Sequence, residues 1–398
     1  MVFMNSNSLK LLCLISIWPA YAWAQEKPYQ DFSADVELEE RFFFNEGLYE
    51  GQKQNYLSIA LRPEYFVEWN NGRSSFKMSL FGRYDQHDEN RTHADIRELY
   101  WRMVRDNKEL SVGLKEVFWG VTESAHIVNV INQTDIVESF DGEAKLGQPM
   151  VHYSVVKPYG TFDAFVMPYF RTPTFPGENG RLRTPFLIDA DDIEFESDME
   201  EFHPDLAFRW SHFFGVFDIG ISHFYGTSRQ PLIKEGEAFE LEFALVNQTG
   251  LDLQATTGPV LWKLEAIYNS NGIKDYTALA AGFEYTFGNV SGKGLDIGLL
   301  GEYLYDSRDE LAFNSLQNDV FTGVRLAFND MSDSQLLAGA IFDLHEGSRL
   351  ISVEGSRRFG ETWTVELEGR FFKNVSDKEF VHFMRRDSFL RLVVSKYF

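Results

Sequence analysis

Ser388-Phe389-Leu390-Arg391-Leu392-Val393-Val394-Ser395-Lys396-Tyr397-Phe398 closes the chain, and its reading decides the fold. Counted back from Phe398, the same face carries Lys396, Val394, Leu392 and Leu390, so four of its five positions are apolar. A strand with one apolar face suits the wall of a closed barrel whose outside meets lipid. Tyr397 falls on the opposite face, and Lys396 holds the place where an aromatic would complete the pattern. A lysine there reaches the headgroups along its alkyl stem. A β-protein in water can also end on phenylalanine, so the other end of the chain has to be weighed with this one.

Lys10 supplies a positive start, Leu11 to Tyr21 an apolar stretch interrupted by Pro19, and Ala22-Trp23-Ala24 a small-x-small site before Gln25. Residues 1–24 are therefore expected to be a secretory leader, cut between Ala24 and Gln25, with 25–398 forming one barrel domain. The apolar run is far shorter than the ~20 residues of a spanning helix. Cys13, the only cysteine, lies inside the leader. The mature chain then has no thiol, which excludes lipid attachment, disulfides and thiolate metal sites. Losing the leader removes Lys10 and no acid, so 37 basic residues become 36 against 60 acidic ones and the net charge moves from −23 to −24. Nucleic acid is not expected as a partner. The terminal strand resembles the C-terminal signal of Gram-negative outer-membrane barrels. That resemblance implies an outer-membrane location, contact with its lipids and lipopolysaccharide, and insertion by the barrel-assembly machinery.

The middle of the chain repeats a period-two pattern. Leu57, Ile59, Leu61, Tyr65 and Val67 alternate with Ser58, Arg62, Glu64 and Glu68. Trp262, Leu264, Ala266 and Tyr268 alternate with Lys263 and Glu265. Trp363, Val365, Leu367 and Phe371 alternate with Thr364, Glu366, Glu368 and Arg370. Apolar outside and charged inside is the barrel arrangement, whereas a soluble sandwich places its charges on the outer face. No stretch beyond the leader holds ~18 uncharged apolar residues, so a closed sheet is the remaining way to satisfy a backbone in hydrocarbon. Phe, Tyr and Trp make up 16% of the chain. Many cap apolar faces, as Tyr285 with Phe287 and Tyr303 with Tyr305 do, which suits interfacial girdles.

Short turns and longer loops should alternate along such a chain. Turn-forming residues stand at Asn70-Asn71-Gly72, Asp106-Asn107-Lys108, Pro158-Tyr159-Gly160, Phe214-Gly215, Thr257-Gly258-Pro259, Gly288 to Gly294, Asn329 to Ser334 and Gly360-Glu361. Between them lie long loops at 119–149, 171–203 and 226–248, and shorter ones at 45–55, 87–92, 271–275, 307–317, 345–347 and 374–387. Eight turns and nine loops make an all-β, antiparallel transmembrane barrel of 18 strands, with 16 as the alternative. Residues 237–248 decide between a longer loop and an added strand. Eight strands fill with side chains, but 16 to 18 leave an aqueous channel.

Alternation turns Glu37, Glu39, Arg41, Arg62, Glu64, Lys77, Arg83, Lys263, Glu265, Glu366, Glu368 and Arg370 inward. Such charges either orient polar solutes or pair across neighbouring strands, and one residue can do both. Gly113 to Gly120, with Lys115 and Trp119, leads into Asn129 to Asn132, Asp135 and Lys145 to Met150. These residues resemble an uncharacterised family of Gram-negative porin-like outer-membrane barrels, in which a strand ending in a basic residue and Trp-Gly opens a long loop that returns through a proline. Pro168 to Arg171, Phe175 to Gly177, Gly180 to Arg183, Gly250 to Gln254 and Leu261 to Glu265 resemble it as well. The resemblance implies a barrel with an inserted loop. By it, and by length, the loop from Trp119 to Pro149 is expected to fold into the pore as a constriction, with Asn132, Gln133, Asp135 and Glu143 facing solute. A loop lying across the outer mouth is the alternative.

Asp189, Asp191, Asp192, Glu194, Glu196, Asp198, Glu200 and Glu201 crowd one loop, but without the spacing of an EF-hand. A solvated surface loop, or one bridged to lipopolysaccharide by divalent ions, fits better. No Gly-x-Ser-x-Gly or His-Glu-x-x-His occurs, and His126, His152, His203, His212, His223 and His382 are scattered singly. Catalysis and cofactors are not expected. Three functions remain: a passive channel for small solutes, weakly preferring cations through its acid excess; a conduit for hydrophobic and amphiphilic molecules working with an inner-membrane transporter; or a structural or adhesive barrel with a plugged lumen, against which the rather modest loops count. The in-facing Phe43, Phe66, Phe81 and Phe372 motivate the second. A monomer and a homo-oligomer both fit the pattern.

Overall fold

The computed structural model describes residues 27–188, 193–235, 239–271, 275–308 and 316–398. The leader with its Ala24–Gln25 junction, and Asp189, Asp191 and Asp192 of the acidic loop, lie outside those residues. The chain runs through β1 (Tyr29–Phe43), β2 (Asn55–Trp69), β3 (Ser74–Asp85), β4 (His93–Arg105), β5 (Lys108–Lys115), β6 (Gln148–Lys157) and β7 (Gly160–Met167). There follow β8 (Ile193–Phe195), β9 (Asp205–Phe214), β10 (Phe217–Thr227), β11 (Leu232–Glu235), β12 (Phe239–Phe243), β13 (Leu245–Thr257) and β14 (Val260–Ser270). The last are β15 (Tyr276–Val290), β16 (Leu295–Asp306), β17 (Asn318–Ala327), β18 (Gln335–Asp343), β19 (Arg349–Phe359), β20 (Trp363–Lys373) and β21 (Phe389–Tyr397).

Eighteen of these strands form one sheet, and β8, β11 and β12 form a separate three-stranded one. Neighbours in the large sheet pair antiparallel, and β21 returns to β1, with Phe43 opposite Phe389 and Val36 opposite Lys396. The wall thus has no free edge, which a backbone in hydrocarbon requires. Burial follows the expected alternation with its sign inverted from that of a soluble protein. In β2, Leu57, Ile59 and Leu61 are 43–49% exposed on the outer face, while Tyr56, Ser58 and Ala60 between them are 1–3% exposed. The terminal lysine also finds its reason. Lys396 Nζ lies 5.0 Å from the Trp363 ring centre and 5.7 Å from that of Phe398, so two aromatics hold the cation at the membrane rim.

The short connections fall where turn residues predicted them. Asn70 and Asn71 both adopt φ of 55°, a left-handed conformation that asparagine tolerates better than most residues. One boundary differs. The stretch 237–248 is split: Phe239–Phe243 joins the small sheet of loop segments, and Leu245 opens barrel strand β13. β10 continues to Thr227, opposite Leu245, so ladder partners are available further out than turn chemistry suggests.

The lumen contains a hydrophobic core of its own. Trp119, Val128, Val130 and Ile131, from the segment between β5 and β6, pack on the inward Met150, Phe165, Met167, Phe224, Val246 and Ile267. Each such side chain contributes about 1.5–3 kcal/mol on burial. On the other side of the lumen a charge cluster takes that role. Glu39, fully buried, lies 2.8–3.5 Å from Arg41, Arg83, Arg91 and Arg391. Replacing Glu39→Ala would leave these guanidinium groups short of a shared counter-charge, a change that costs roughly 3–5 kcal/mol. The refolded variant should lose its compact, unheated gel mobility at a clearly lower temperature than wild type; an unchanged transition would remove Glu39 from the framework.

Candidate pore and constriction

Backbone N–H groups in a segment that leaves the sheet must find acceptors, and inward carboxylates of the far wall provide them. The Oε1 of Glu265 accepts hydrogen bonds from Val121 N at 2.7 Å, Thr122 N at 3.0 Å and Thr122 Oγ1 at 2.8 Å, and its Oε2 accepts one from Val128 N at 3.2 Å. On β16, Glu302 receives Glu123 N at 2.7 Å and Ser124 N at 2.9 Å. The Glu123 side chain meets Lys263 at 3.4 Å and Arg325 at 2.6 Å. The first limb of the segment is thus fastened to β14, β16 and β17.

The second limb reaches the opposite wall. Glu138 accepts Arg83 Nε at 2.9 Å, and Asp141 forms an ion pair with Arg370. Arg83 lies on β3 and Arg370 on β20, eight and six places round the eighteen-strand wall from β14. A single segment therefore crosses the lumen as a bar tied at both ends.

The four loop residues expected to face solute divide. Asn132 is 1% exposed and works as a staple: its Oδ1 accepts Val117 N, and its Nδ2 donates to Lys115 O and Leu146 O, all at 2.9 Å. Gln133, also 1% exposed, accepts Thr134 N at 2.8 Å. Asp135 is buried against Arg97, with His93 at 3.7 Å. None of the three is open to solvent: Asn132 joins the two limbs of the loop, Asp135 is held by β4, and Gln133 shows only an edge to the cavity. Glu143 alone stands open, 3.4 Å from His126.

The wall residues also fall into groups. Arg62 meets Asp35 at 3.1 Å and pairs with Glu37; Arg83 meets Glu37 at 2.9 Å. Glu368 bridges Arg370 at 2.8 Å and Arg391 at 3.0 Å. Lys263 and Glu265 belong to the loop-fastening wall. Lys115 lies 3.2 Å from His152 Nδ1 and 3.9 Å from Glu109, and Glu366 is exposed with no ion pair among the described residues. Sequence reasoning missed Glu302 and Arg391, though extending the alternation around Tyr303 and Leu392 would have turned both inward. It also missed Glu123, Glu138 and Asp141, for which alternation offers no signal because they lie in a loop. Among the described residues, no group of His, Cys, Asp and Glu is arranged to hold a metal ion.

The fold is similar to that of solved outer-membrane porins. Pseudomonas aeruginosa OccK5 (OpdH) matches with a TM-score of 0.56 and 11% identity, over 92% of this chain and 97% of that one. Pseudomonas aeruginosa OccD3 (OpdP) matches with a TM-score of 0.54 and 11% identity, over 93% of this chain and 91% of that one. No protein-family model and no curated protein matches the chain. What is shared at that identity is the porin barrel, the fold that the sequence resemblance implied.

His126 makes the bar sensitive to pH. Burial opposes its charged form, but the Glu143 and Glu265 carboxylates outweigh burial and raise its pKa to about 9. A pKa raised above the ordinary value of about 6.5 means that the doubly bridged imidazolium is fully formed below that pH and lost as pH rises through about 9. Protease cleavage within 120–145 should accelerate between pH 8 and pH 10 in wild type, and His126→Gln should flatten that rise. Glu265→Ala, which removes the acceptor of four hydrogen bonds, should open the segment to protease at neutral pH. Equal cleavage of variant and wild type would detach Glu265 from the fastening.

Proposed function

We propose that the protein is an outer-membrane channel through which small hydrophilic solutes diffuse passively, narrowed by the segment between β5 and β6. The observation that carries this reading is the bar itself: an 18-stranded barrel is wide enough for an aqueous channel, and one loop spans it between charged walls. No pump or energy source is needed for such transport. The chain's net charge of −23, together with Glu366, exposed on the inward face of β20 and without an ion pair among the described residues, supports a weak preference for cations. In this reading the exposed apolar girdle meets membrane lipids, lipopolysaccharide lies against the outer rim, and the assembly machinery recognises the strand ending in Phe398.

The alternative, a conduit for hydrophobic and amphiphilic molecules working with an inner-membrane transporter, calls for a continuous apolar groove. The four aromatics that suggested it are dispersed. Phe43 and Phe372 belong to one apolar cluster, Phe81 lies under the Arg97 guanidinium at 4.5 Å, and Phe66 leans on Tyr29. Three of these stations are separated by charged wall, which favours a wet path.

Refolded protein in a planar bilayer under a salt gradient should give ohmic steps with a reversal potential of the sign for cations. Glu366→Gln should move that potential toward zero. Deleting Ala125 to Glu143 should raise unit conductance; a deletion variant that folds and conducts as wild type does would refute the constriction.

A further inference from the structure

Above the bar lies a cavity of about 750 Å³, enclosed by the segments between β5 and β6 and between β7 and β9 and by the inner faces of β14 to β20. Its wall is unlike the rest of the lumen. Phe321, Ile341, Leu350 and Phe372 are cross-strand neighbours in β17, β18, β19 and β20, and all turn inward. At ~4.8 Å between strands they form an apolar row about 14 Å long. Glycine makes the row smooth: the Phe321 ring lies flat over Gly339 and Gly323, where any side chain would lift it.

The charges around this cavity do not cancel evenly. Every carboxylate that lines it has a cation beside it: Asp141 and Glu354 share Arg370, Glu143 meets His126, Asp306 meets Arg308, and Glu123 meets Lys263 and Arg325. Two lining cations have no such partner among the described residues: Lys145, which donates to Thr134 Oγ1 at 2.9 Å, and the more deeply buried Arg183. Only 7% exposed, it has no carboxylate within ion-pair distance among the described residues. Its Nη1 donates to the carbonyls of Thr184 at 2.9 Å and Pro185 at 3.4 Å, and its carbon Cζ sits 3.9 Å above the Tyr49 ring. Its Nε is buried without an acceptor among the described residues. The Nε and Nη2 edge of a guanidinium is one of the two that grip both oxygens of an oxyanion.

The backbone holds this group in place at some cost. Leu182, next to it, has a φ of 57°, a left-handed conformation that leucine rarely adopts. Leu182 N donates to Asp387 at 2.9 Å, and the Leu182 side chain packs with Phe372, Val381 and Met384. Arg183 therefore stands at the Phe372 end of the apolar row.

We infer that this cavity binds an anionic amphiphile, its alkyl chain laid along Phe372, Leu350, Ile341 and Phe321 and its oxyanion head on Arg183. The inference rests on the channel reading for its physiological sense, since such a molecule would enter from the outer mouth. Charge decides against a cationic amphiphile, because the carboxylates available to it are already neutralised. Burial decides against a purely hydrophobic guest, which would leave the guanidinium desolvated and unpaired.

Two readouts test the site separately from the channel. Radiolabelled decanoate should bind barrels in nanodiscs above the level of empty nanodiscs, whether or not current flows. In planar bilayers, decanoate or decyl sulfate added to the outer side should interrupt the current, with decyltrimethylammonium and decanol at least about tenfold weaker. The relative strength of the first two probes separates a planar carboxylate head from a sulfate. Arg183→Gln and Phe321→Ser, each checked for folding by unheated gel mobility, should each weaken binding about tenfold. Absence of current with retained decanoate binding would overturn the channel and leave the site standing. Binding no greater than that of empty nanodiscs, or block equally strong for anion and cation, would overturn the site and leave the channel standing.

Discussion

A backbone in hydrocarbon must satisfy every N–H and C=O within the protein, and in this chain that requirement is met by joining β21 to β1. All else is conditional on that seam. Because the sheet closes, each strand has an outside and an inside, and period-two alternation places the two kinds of residue without further instruction. Because it closes with 18 strands, the inside is too wide to be filled by the wall's own side chains. The space left can hold water or a further segment of the chain, and here a loop crosses it.

Hydrogen bonds alone would not hold that loop. Fixing each backbone residue costs about 1–2 kcal/mol, whereas a typical hydrogen bond returns only about 0.5–1.5 kcal/mol net. The contacts to Glu265 and Glu302 are stronger than average because their acceptors are charged, yet they serve few residues. The balance is carried by Trp119, Val128 and Ile131, which bury apolar surface against the inner wall. Carboxylates then decide where the loop lies, and the apolar patch decides that it lies inside at all. A polar lumen with a local hydrophobic core reconciles the two.

The fold was legible because turns and alternation are local signals. Asn70-Asn71-Gly72 and the Leu57, Ile59, Leu61 face each state their role within a few residues, and closure follows from counting. The split of 237–248 was less legible, since Phe239–Phe243 and β13 both read as strand and only the ladder to Thr227 separates them. The site was legible in part. Lys263, Glu265, Arg83 and Arg370 follow from parity and do converge on the crossing loop. Inside the loop parity has no meaning, and residue type alone does not say whether an amide meets water or a neighbouring carbonyl. Asn132 is polar in order to staple Lys115 and Leu146, not in order to greet a solute. Arg183 left no sequence signal of its solitude, because solitude is a property of what surrounds it.

Pairing also explains how a lumen rich in both signs can still discriminate. A guanidinium that shares its field with an adjacent carboxylate presents little net potential a few ångströms away, so most of the wall is close to silent for a passing ion. What remains is set by the few groups without a partner. Among the described residues, Glu366 on β20 and Arg183 at the cavity are two of these. On the proposed channel reading, small hydrated ions sample the whole path and respond to the overall acid excess. On the proposed binding reading, an amphiphile laid along the apolar row would respond to Arg183. Under these two proposals, selectivity for the first and affinity for the second would arise from different residues of one lumen and need not agree in sign.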